Sequence, residues 1–253
     1  MSAVAHDEPL QWQRVAGSPR VIAHRGAPRE ALENSLAAFR AARNAGAHGV
    51  ELDVMRCASG DVVVFHDDDL KRLFGRRERV DALPLAALRE HDIPTLEEAL
   101  EEIGARMLVN VELKTERRRG DSELAMQVAE ILRRAGCGRR ALVSSFNPVA
   151  LWQFRRAAPD LPTGLLFHHE QMRPLREAWP AWLLQPFALH PEAALVDAIA
   201  LARWRRRGFA VNVWTVDDPR EIAALAALGV DGIITNEPAR TLAALDEQPP
   251  ARV

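Results

Sequence analysis

The stretch Gly49–Asp67, GVELDVMRCASGDVVVFHD, decides how the rest of the chain is read. It opens as an apolar strand carrying two carboxylates, Glu51 and Asp53, and residues two apart on a strand share a face. Carboxylates on one face repel unless something positive sits between them. Ser59-Gly60 is a turn pair, and Val62-Val63-Val64-Phe65 returns as a second strand ending in His66-Asp67. As a two-residue hairpin loop, Ser59-Gly60 opposes Ala58 to Asp61, Arg56 to Val63 and Asp53 to His66. That register brings an imidazole beside the carboxylate pair, an arrangement suited to a divalent cation held by oxygen ligands next to a general acid or base.

Upstream, Val21-Ile22-Ala23 is a short apolar strand whose exit, His24-Arg25-Gly26, has the cationic and glycine character of a loop that approaches phosphate. Glu33-Asn34-Ser35 then leads into LAAFRAARNAGA, a helix for which Asn34 is the expected N-cap and Gly46 the stop. Downstream comes a polar excursion with a weak helix at Leu85–Glu90. Thr95 and Glu98 then form a capping box at the head of the next helix. The strand Arg106–Lys114 alternates polar groups at its end: Asn110, Glu112 and Lys114. Beyond it, strands are expected at 141–146, 163–167, 186–190, 210–216 and 231–235, with helices at 122–135, 148–157, 193–207, 219–228 and 238–245.

Strands followed by helices begin near residues 21, 49, 107, 141, 163, 186, 210 and 232. Eight βα units in a chain of 253 residues predict an α/β fold, a (β/α)8 TIM-type barrel. The arm returning to His66 is then a β-hairpin flap after strand 2. The expected organisation is one domain over residues 1–253, its core about 20–246, between a short flexible N-terminal leader and the polar tail DEQPPARV.

In such barrels the active site lies at the C-terminal ends of the strands. His24, Glu51, Asp53, Glu112, Lys114 and Trp214 all fall there, and the hairpin returns His66 to the same rim. Glu51, Asp53 and Glu112 make a hard oxygen set suited to Mg²⁺ or Ca²⁺. Arg25 and Lys114 add a guanidinium fork and a point charge for phosphate oxygens. His24 and His66 supply imidazoles, one to take the proton of an attacking hydroxyl or water and one to protonate the leaving alkoxide. His168, His169 and His190 have no matching neighbours and read as loop or structural residues.

Composition restricts the partners. A net charge of −2 and a pI near 6.5 argue against nucleic acid or anionic membrane as a global partner. The basic runs at 117–119 and 205–207 read as solvated surface, the second at a helix C-terminus where cations complement the dipole. Cys57 and Cys137 stand at unrelated spacings and read as reduced thiols of a cytoplasmic protein. The first twenty residues lack the apolar core of a signal peptide, and no apolar run approaches the roughly 20 residues of a membrane span. Oligomeric state is left open.

VIAHRG, the Glu33-Asn34-Ser35 step, GVELDV, VVVFHDD, IPTLEEAL, VNVELK, SSF, VNVWTV and GVDGIIT follow in an order that resembles the glycerophosphodiester phosphodiesterase family. The resemblance runs from about Val21 to Pro238. It implies a TIM-type barrel that uses a divalent cation to hydrolyse glycerophosphodiesters, such as glycerophosphocholine or glycerophosphoethanolamine, to an alcohol and sn-glycerol 3-phosphate. It matches an acid-base pair to His24 and His66, metal carboxylates to Glu51, Asp53 and Glu112, and phosphate contacts to Arg25 and Lys114. Trp214 matches an aromatic residue bordering the pocket, and Glu33 and Asn34 a supporting motif. Ser35 stands where the family often has Thr, and the run 68–75 and the short excursion before Pro94 also depart from it, at the alcohol end of the substrate. Direct attack by water and attack by the glycerol 2-hydroxyl through a cyclic phosphate are both open. Two competing readings are a lysophospholipase D or phospholipase C-like enzyme, with Trp179 and Trp182 as an apolar rim, and a non-catalytic barrel that binds a phosphorylated ligand.

Overall fold

The computed structural model describes residue 12, residues 17–115 and residues 119–246. Of the arginine run at 117–119 only Arg119 is among them, and most of the leader and the tail after Asp246 lie outside the described residues.

Among the described residues nine strands form one sheet: β1 Arg20–His24, β2 Gly49–Arg56, β3 Val62–Val64, β4 Leu108–Leu113, β5 Ala141–Ser145, β6 Thr163–Phe167, β7 Ala188–Pro191, β8 Ala210–Val213 and β9 Gly232–Thr235. All neighbours are parallel except β2 and β3, and β1 pairs with both β2 and β9, which closes eight strands into a barrel. These eight are the strands expected from the sequence, with helices between them, and the fold is a TIM barrel. The strands are short and buried along almost their whole length, as strands covered on both sides must be.

Alternation along β2 shows how the two sides are divided. Val50, Leu52 and Val54 point outward into an apolar cluster with Phe39, Leu96, Leu100 and Leu124 from the surrounding helices. Glu51 and Asp53 point the other way, into the barrel, and are buried. Deeper inside, Ile22, Leu108, Leu142, Ala188, Ala210 and Ile234 fill the interior together with Trp12, which is only 3% exposed. Part of the expected flexible leader therefore packs into the core.

The interior above that layer is polar. His190 and Asn212 meet at 3.0 Å, and a glycine on the strand beside each makes room for it. A Cβ on Gly164 would stand 2.7 Å from Nε2 of His190.

The hairpin differs from its expected register. Val54 opposes Val64 and Arg56 opposes Val62, so the loop is Ala58-Ser59-Gly60 rather than Ser59-Gly60. Gly60 has φ +90° and closes a three-residue loop, with its N–H donating to the Cys57 carbonyl. The shift of one residue sets Phe65, not His66, opposite Asp53, and the Phe65 N–H donates to the Asp53 carbonyl at 3.0 Å. β3 is buried, and Val63 and Phe65 join Met55, Leu70, Val80, Leu88 and Ile93 in a separate apolar cluster.

The expected helix over 193–207 is interrupted. A 3-10 turn at Ala193–Leu195 precedes the helix Ala198–Arg205, because the Asp197 side chain accepts from the Ala200 N–H and starts a new helix there. Among the described residues no helix is long and apolar enough to cross a membrane.

Candidate active site

The segment joining β1 to its helix builds one side of the site. Arg25 and Asn34 both adopt left-handed backbone, with φ of 55° and 58°, and the Asn34 N–H donates to the Arg25 carbonyl at 2.9 Å. Non-glycine residues in that region cost about 1–2 kcal/mol each, so the conformation must be compensated by the contacts it permits. One is the Arg25 N–H, which donates to Oε2 of Glu51 at 3.0 Å.

Asn34 does not cap the following helix. Ser35 does, its hydroxyl accepting from the Ala38 N–H at 3.1 Å. Buried and turned inward, Asn34 donates through Nδ2 to Oδ2 of Asp53 at 2.9 Å and accepts from the Asp53 N–H at 3.3 Å. The left-handed backbone explains the exchange: it takes residue 34 out of the extended conformation that an N-cap needs, and Ser35, at φ −102° and ψ 158°, has it.

Glu51, Asp53 and Glu112 come together across β2 and β4, where Asp53 and Glu112 are register partners. Ligand atoms of the three lie within 4.8 Å of one another. The Lys114 ammonium is 2.9 Å from Oε1 of Glu112 and 3.6 Å from Oδ1 of Asp53, while Nε of Arg25 is 3.2 Å from Oδ2 of Asp53. Three carboxylates against two cations leave the cluster net negative. Oε1 of Glu51 is buried with no hydrogen-bond partner, a costly state for a carboxylate oxygen unless a cation or donor meets it. Hard oxygen donors at this spacing fit a divalent metal ion.

The local electrostatics follow from burial and these neighbours. Burial, then the charges of Asp53 and Glu112, pushes the Glu51 carboxyl well above its usual range. Glu112 is likewise raised by burial and Asp53, against Lys114. Burial also acts on Asp53, but Lys114, Arg25, His66 and the Asn34 hydrogen bond outweigh it and hold this carboxyl low. Lys114 is half-buried, which opposes its charge, yet Glu112 and Asp53 keep its ammonium charged well past its usual range.

His24 ends β1, and His66 follows β3 by two residues. Nδ1 of His24 is 2.8 Å from Oδ1 of Asn236, whose Nδ2 donates to Oδ2 of Asp217 at 2.7 Å. That second bond fixes the amide orientation, so the His24 contact must use an Nδ1–H, and neutral His24 presents the lone pair at Nε2. Burial, then the positive charge of Arg25, lowers its pKa to about 4. Nδ1 of His66 faces Oδ1 of Asp67 at 2.6 Å, which leaves its Nε2 available as well. Burial lowers His66 too, with Lys114 and Arg25 adding to it against Asp53 and Asp67.

A cavity of about 460 Å³ opens over these groups, and its walls include His24, Arg25, Glu51, His66, Glu112, Lys114 and Trp214. Asp53 lies beneath, 1% exposed. The Trp214 indole is held by its Nε1–H to the His190 carbonyl at 2.7 Å and meets Phe146 edge to face. Glu33 lies outside the wall, paired to Nη1 of Arg25 at 2.9 Å. Seven of the ten candidate side chains thus line one cavity, and Asp53, Glu33 and Asn34 stand behind it, bonded to one another or to its lining. The fit to an apolar rim is poorer: Trp179 and Trp182 are 51% and 61% exposed and do not line it, and Arg207 stacks on Trp182.

Other residues at the cavity are not among the ten candidates, and His168 and His169, expected to be loop or structural residues, line it. Asn236 and Asp217, which orient His24, leave β9 and β8 at the same C-terminal ends, so the rule that found Trp214 would have found them. Asn110 lines the cavity with both amide atoms unpartnered, and Phe146, His168, His169, Glu170 and Glu192 line it as well. Glu192 comes into place through its bond to Nδ1 of His169, 2.5 Å away, a contact between separate loops that local pattern does not reveal.

Residues 24–240 match the model of the glycerophosphoryl diester phosphodiesterase family. A glycerophosphodiester phosphodiesterase of Caldanaerobacter subterraneus is 33% identical over 238 residues, spanning 86% of this chain and 94% of the relative. A probable glycerophosphodiester phosphodiesterase 1 of Mycobacterium tuberculosis is 32% identical over 265 residues, spanning 92% of this chain and 94% of its own length. Among solved structures, an Oleispira antarctica phosphodiesterase in complex with the product sn-glycerol-3-phosphate superposes with TM-score 0.81 at 29% identity, covering 91% of this chain and 98% of that one. The glycerophosphodiester phosphodiesterase of Thermotoga maritima gives TM-score 0.74 at 31% identity, with 90% and 98% covered.

Proposed function

The chain belongs to the glycerophosphoryl diester phosphodiesterase family and is a phosphodiesterase of that class; from this premise we propose that it hydrolyses glycerophosphodiesters, such as glycerophosphocholine and glycerophosphoethanolamine, to an alcohol and sn-glycerol 3-phosphate in a metal-dependent reaction. The observation that carries the proposal is the convergence of Glu51, Asp53 and Glu112 within 4.8 Å, below a cavity that His24, His66, Arg25 and Lys114 also line.

Glu51, Asp53 and Glu112 would hold Mg²⁺ or Ca²⁺, which when bound supplies positive charge against the phosphate oxygens. Arg25 and Lys114 contact the same oxygens and stabilise the charge that grows on them in the transition state. His24, neutral and with its Nε2 lone pair toward the cavity, accepts the proton of the attacking hydroxyl or water. His66, when protonated, delivers its Nε2 proton to the leaving alkoxide, with the Asp53 and Asp67 carboxylates favouring that imidazolium against the burial that lowers its pKa. General acid-base catalysis of this kind contributes about 10²–10⁴-fold. Trp214 and Phe146 exclude water from one wall, Glu33 steadies Arg25, and Asn34 steadies Asp53.

The test is release of glycerol 3-phosphate from glycerophosphocholine by purified protein, after chelation and again with Mg²⁺ or Ca²⁺ restored. His24→Ala and Glu51→Ala run alongside it. Metal-restored turnover that both substitutions abolish is the expected result. No turnover of the wild type with any metal rejects the proposal and turns the search to lysolipids and phosphoinositides.

A further inference from the structure

Arg72 stands on the single-turn helix Lys71–Phe74, outside the cavity lining, and its guanidinium spans two carboxylates that belong to different parts of the site. Its Nε lies 2.6 Å from Oδ2 of Asp67. Its Nη1 and Nη2 lie 2.9 and 2.5 Å from Oε2 and Oε1 of Glu33. Behind each carboxylate is a group with a role in the proposed reaction. Glu33 holds Nη1 of Arg25 at 2.9 Å, and Asp67 holds Nδ1 of His66 at 2.6 Å. The result is a continuous run of alternating charge, Arg25, Glu33, Arg72, Asp67, His66, which ties the segment after β1 to the segment after β3.

The chemistry of this run depends on a guanidinium at its centre. Three N–H vectors in one plane meet two carboxylates at once, and charge-assisted bonds of this length are about twice as strong as neutral ones. A lysine supplies the same charge from one point and cannot span both partners. Without a cation between them, Glu33 and Asp67 repel each other and each is free to leave its functional neighbour for solvent. Asp67 and Glu33 are both held below the usual carboxylate range, against their own burial, chiefly by Arg72 hydrogen bonds.

We propose that Arg72 is a positioning residue for the hydrolysis, setting the Arg25 guanidinium through Glu33 and the His66 imidazole through Asp67. It rests on the roles given above to Arg25 and His66, and it assigns to one side chain outside the cavity a joint effect on phosphate binding and proton transfer.

The experiment uses the full chain loaded with metal and glycerophosphocholine as substrate, comparing Arg72→Gln, Arg72→Lys, Glu33→Gln and Asp67→Asn. Arg72→Gln lowers kcat/KM by about 10- to 100-fold, with KM raised and kcat lowered together, and Arg72→Lys recovers part of the loss. Glu33→Gln acts mainly on KM and Asp67→Asn mainly on kcat. Adding Arg72→Gln to the Glu33→Gln, Asp67→Asn pair costs little more, because the residues act as one unit. A readout independent of turnover is the ¹⁵N spectrum of His66, which shows a single Nδ1–H tautomer in the wild type and a mixture in Arg72→Gln. Wild-type kcat and KM per folded molecule in Arg72→Gln, whatever its Tm, overturn the inference, as does full additivity with the pair. A wild type that turns over no glycerophosphodiester rejects the proposed reaction instead. The His66 spectrum then decides the coupling: an unchanged tautomer in Arg72→Gln overturns it. If Arg72→Gln fails to fold, Arg72→Lys and the two carboxylate variants carry the same comparison.

Discussion

Replacing Asn34 with Ala removes a side chain that is 2% exposed, sits at φ 58° and makes both of its hydrogen bonds to Asp53. The bond to the Asp53 carboxylate, as one to a charged group, is worth about 1.5–3 kcal/mol, and the orphaned Asp53 N–H costs about 1–3 kcal/mol more. Ala in the left-handed region adds about 1 kcal/mol. The sum is about 3.5–7 kcal/mol, several times the ~1 kcal/mol expected of a lost N-cap. Urea unfolding of the metal-free protein measures it. Asn34→Gly, free of the backbone strain, recovers about 1 kcal/mol. Calorimetric titration with Mg²⁺ supplies the second half, since an unsupported ligand carboxylate weakens metal binding by about 10–100-fold. Ser35→Ala is the control, losing the actual cap for about 1 kcal/mol and leaving metal affinity untouched. The reasoning is refuted if Asn34→Ala costs 1 kcal/mol or less with unchanged metal affinity, or if Ser35→Ala carries the larger penalty.

Metal addition raises the stability of the wild type by about 2.7 kcal/mol at a hundredfold excess over Kd, and Glu51→Gln loses most of that gain; a thermal scan with and without chelator reads both. Burial lowers the His190 pKa to about 3, so the unfolded chain, at about 6.5, binds the proton first on acidification. The stability this group contributes is present above pH 6.5 and is lost as pH falls toward 3, with a slope approaching about 1.4 kcal/mol per pH unit. His190→Leu flattens that window in pH-dependent urea unfolding, and an unchanged slope counts against the assignment. Gly164→Ala places a methyl 2.7 Å from Nε2 of His190, and the overpacking costs about 1–3 kcal/mol in the same assay; a change within 0.5 kcal/mol of zero contradicts the close approach.

Each βα unit of this chain was legible because period and punctuation are local. β4 reads as a strand from LVNVEL alone, and the capping box of Thr95 and Glu98 lies within four residues. Closure of the barrel then carries the exits of β1, β2, β4 and β8 to one end, which is why His24, Glu51, Asp53, Glu112, Lys114 and Trp214 were found without knowing any contact between them. Local pattern failed where two conformations suit one sequence. Ala58-Ser59-Gly60 and Ser59-Gly60 are both acceptable hairpin loops, and packing of Val63 and Phe65 against Leu70, Val80 and Leu88 accompanies the longer one.

The sequence by itself determined the barrel and the chemical inventory of its rim, because side-chain period, turn residues and the direction of parallel strands are set over a few residues at a time. Only the tertiary structure decided what holds that inventory in place. Asn34 supports Asp53 across 19 residues, Arg72 joins Glu33 across 39, and Asn236 orients His24 across 212. Those bonds depend on backbone angles and loop packing at both ends, and no local period records which partner a polar side chain will meet.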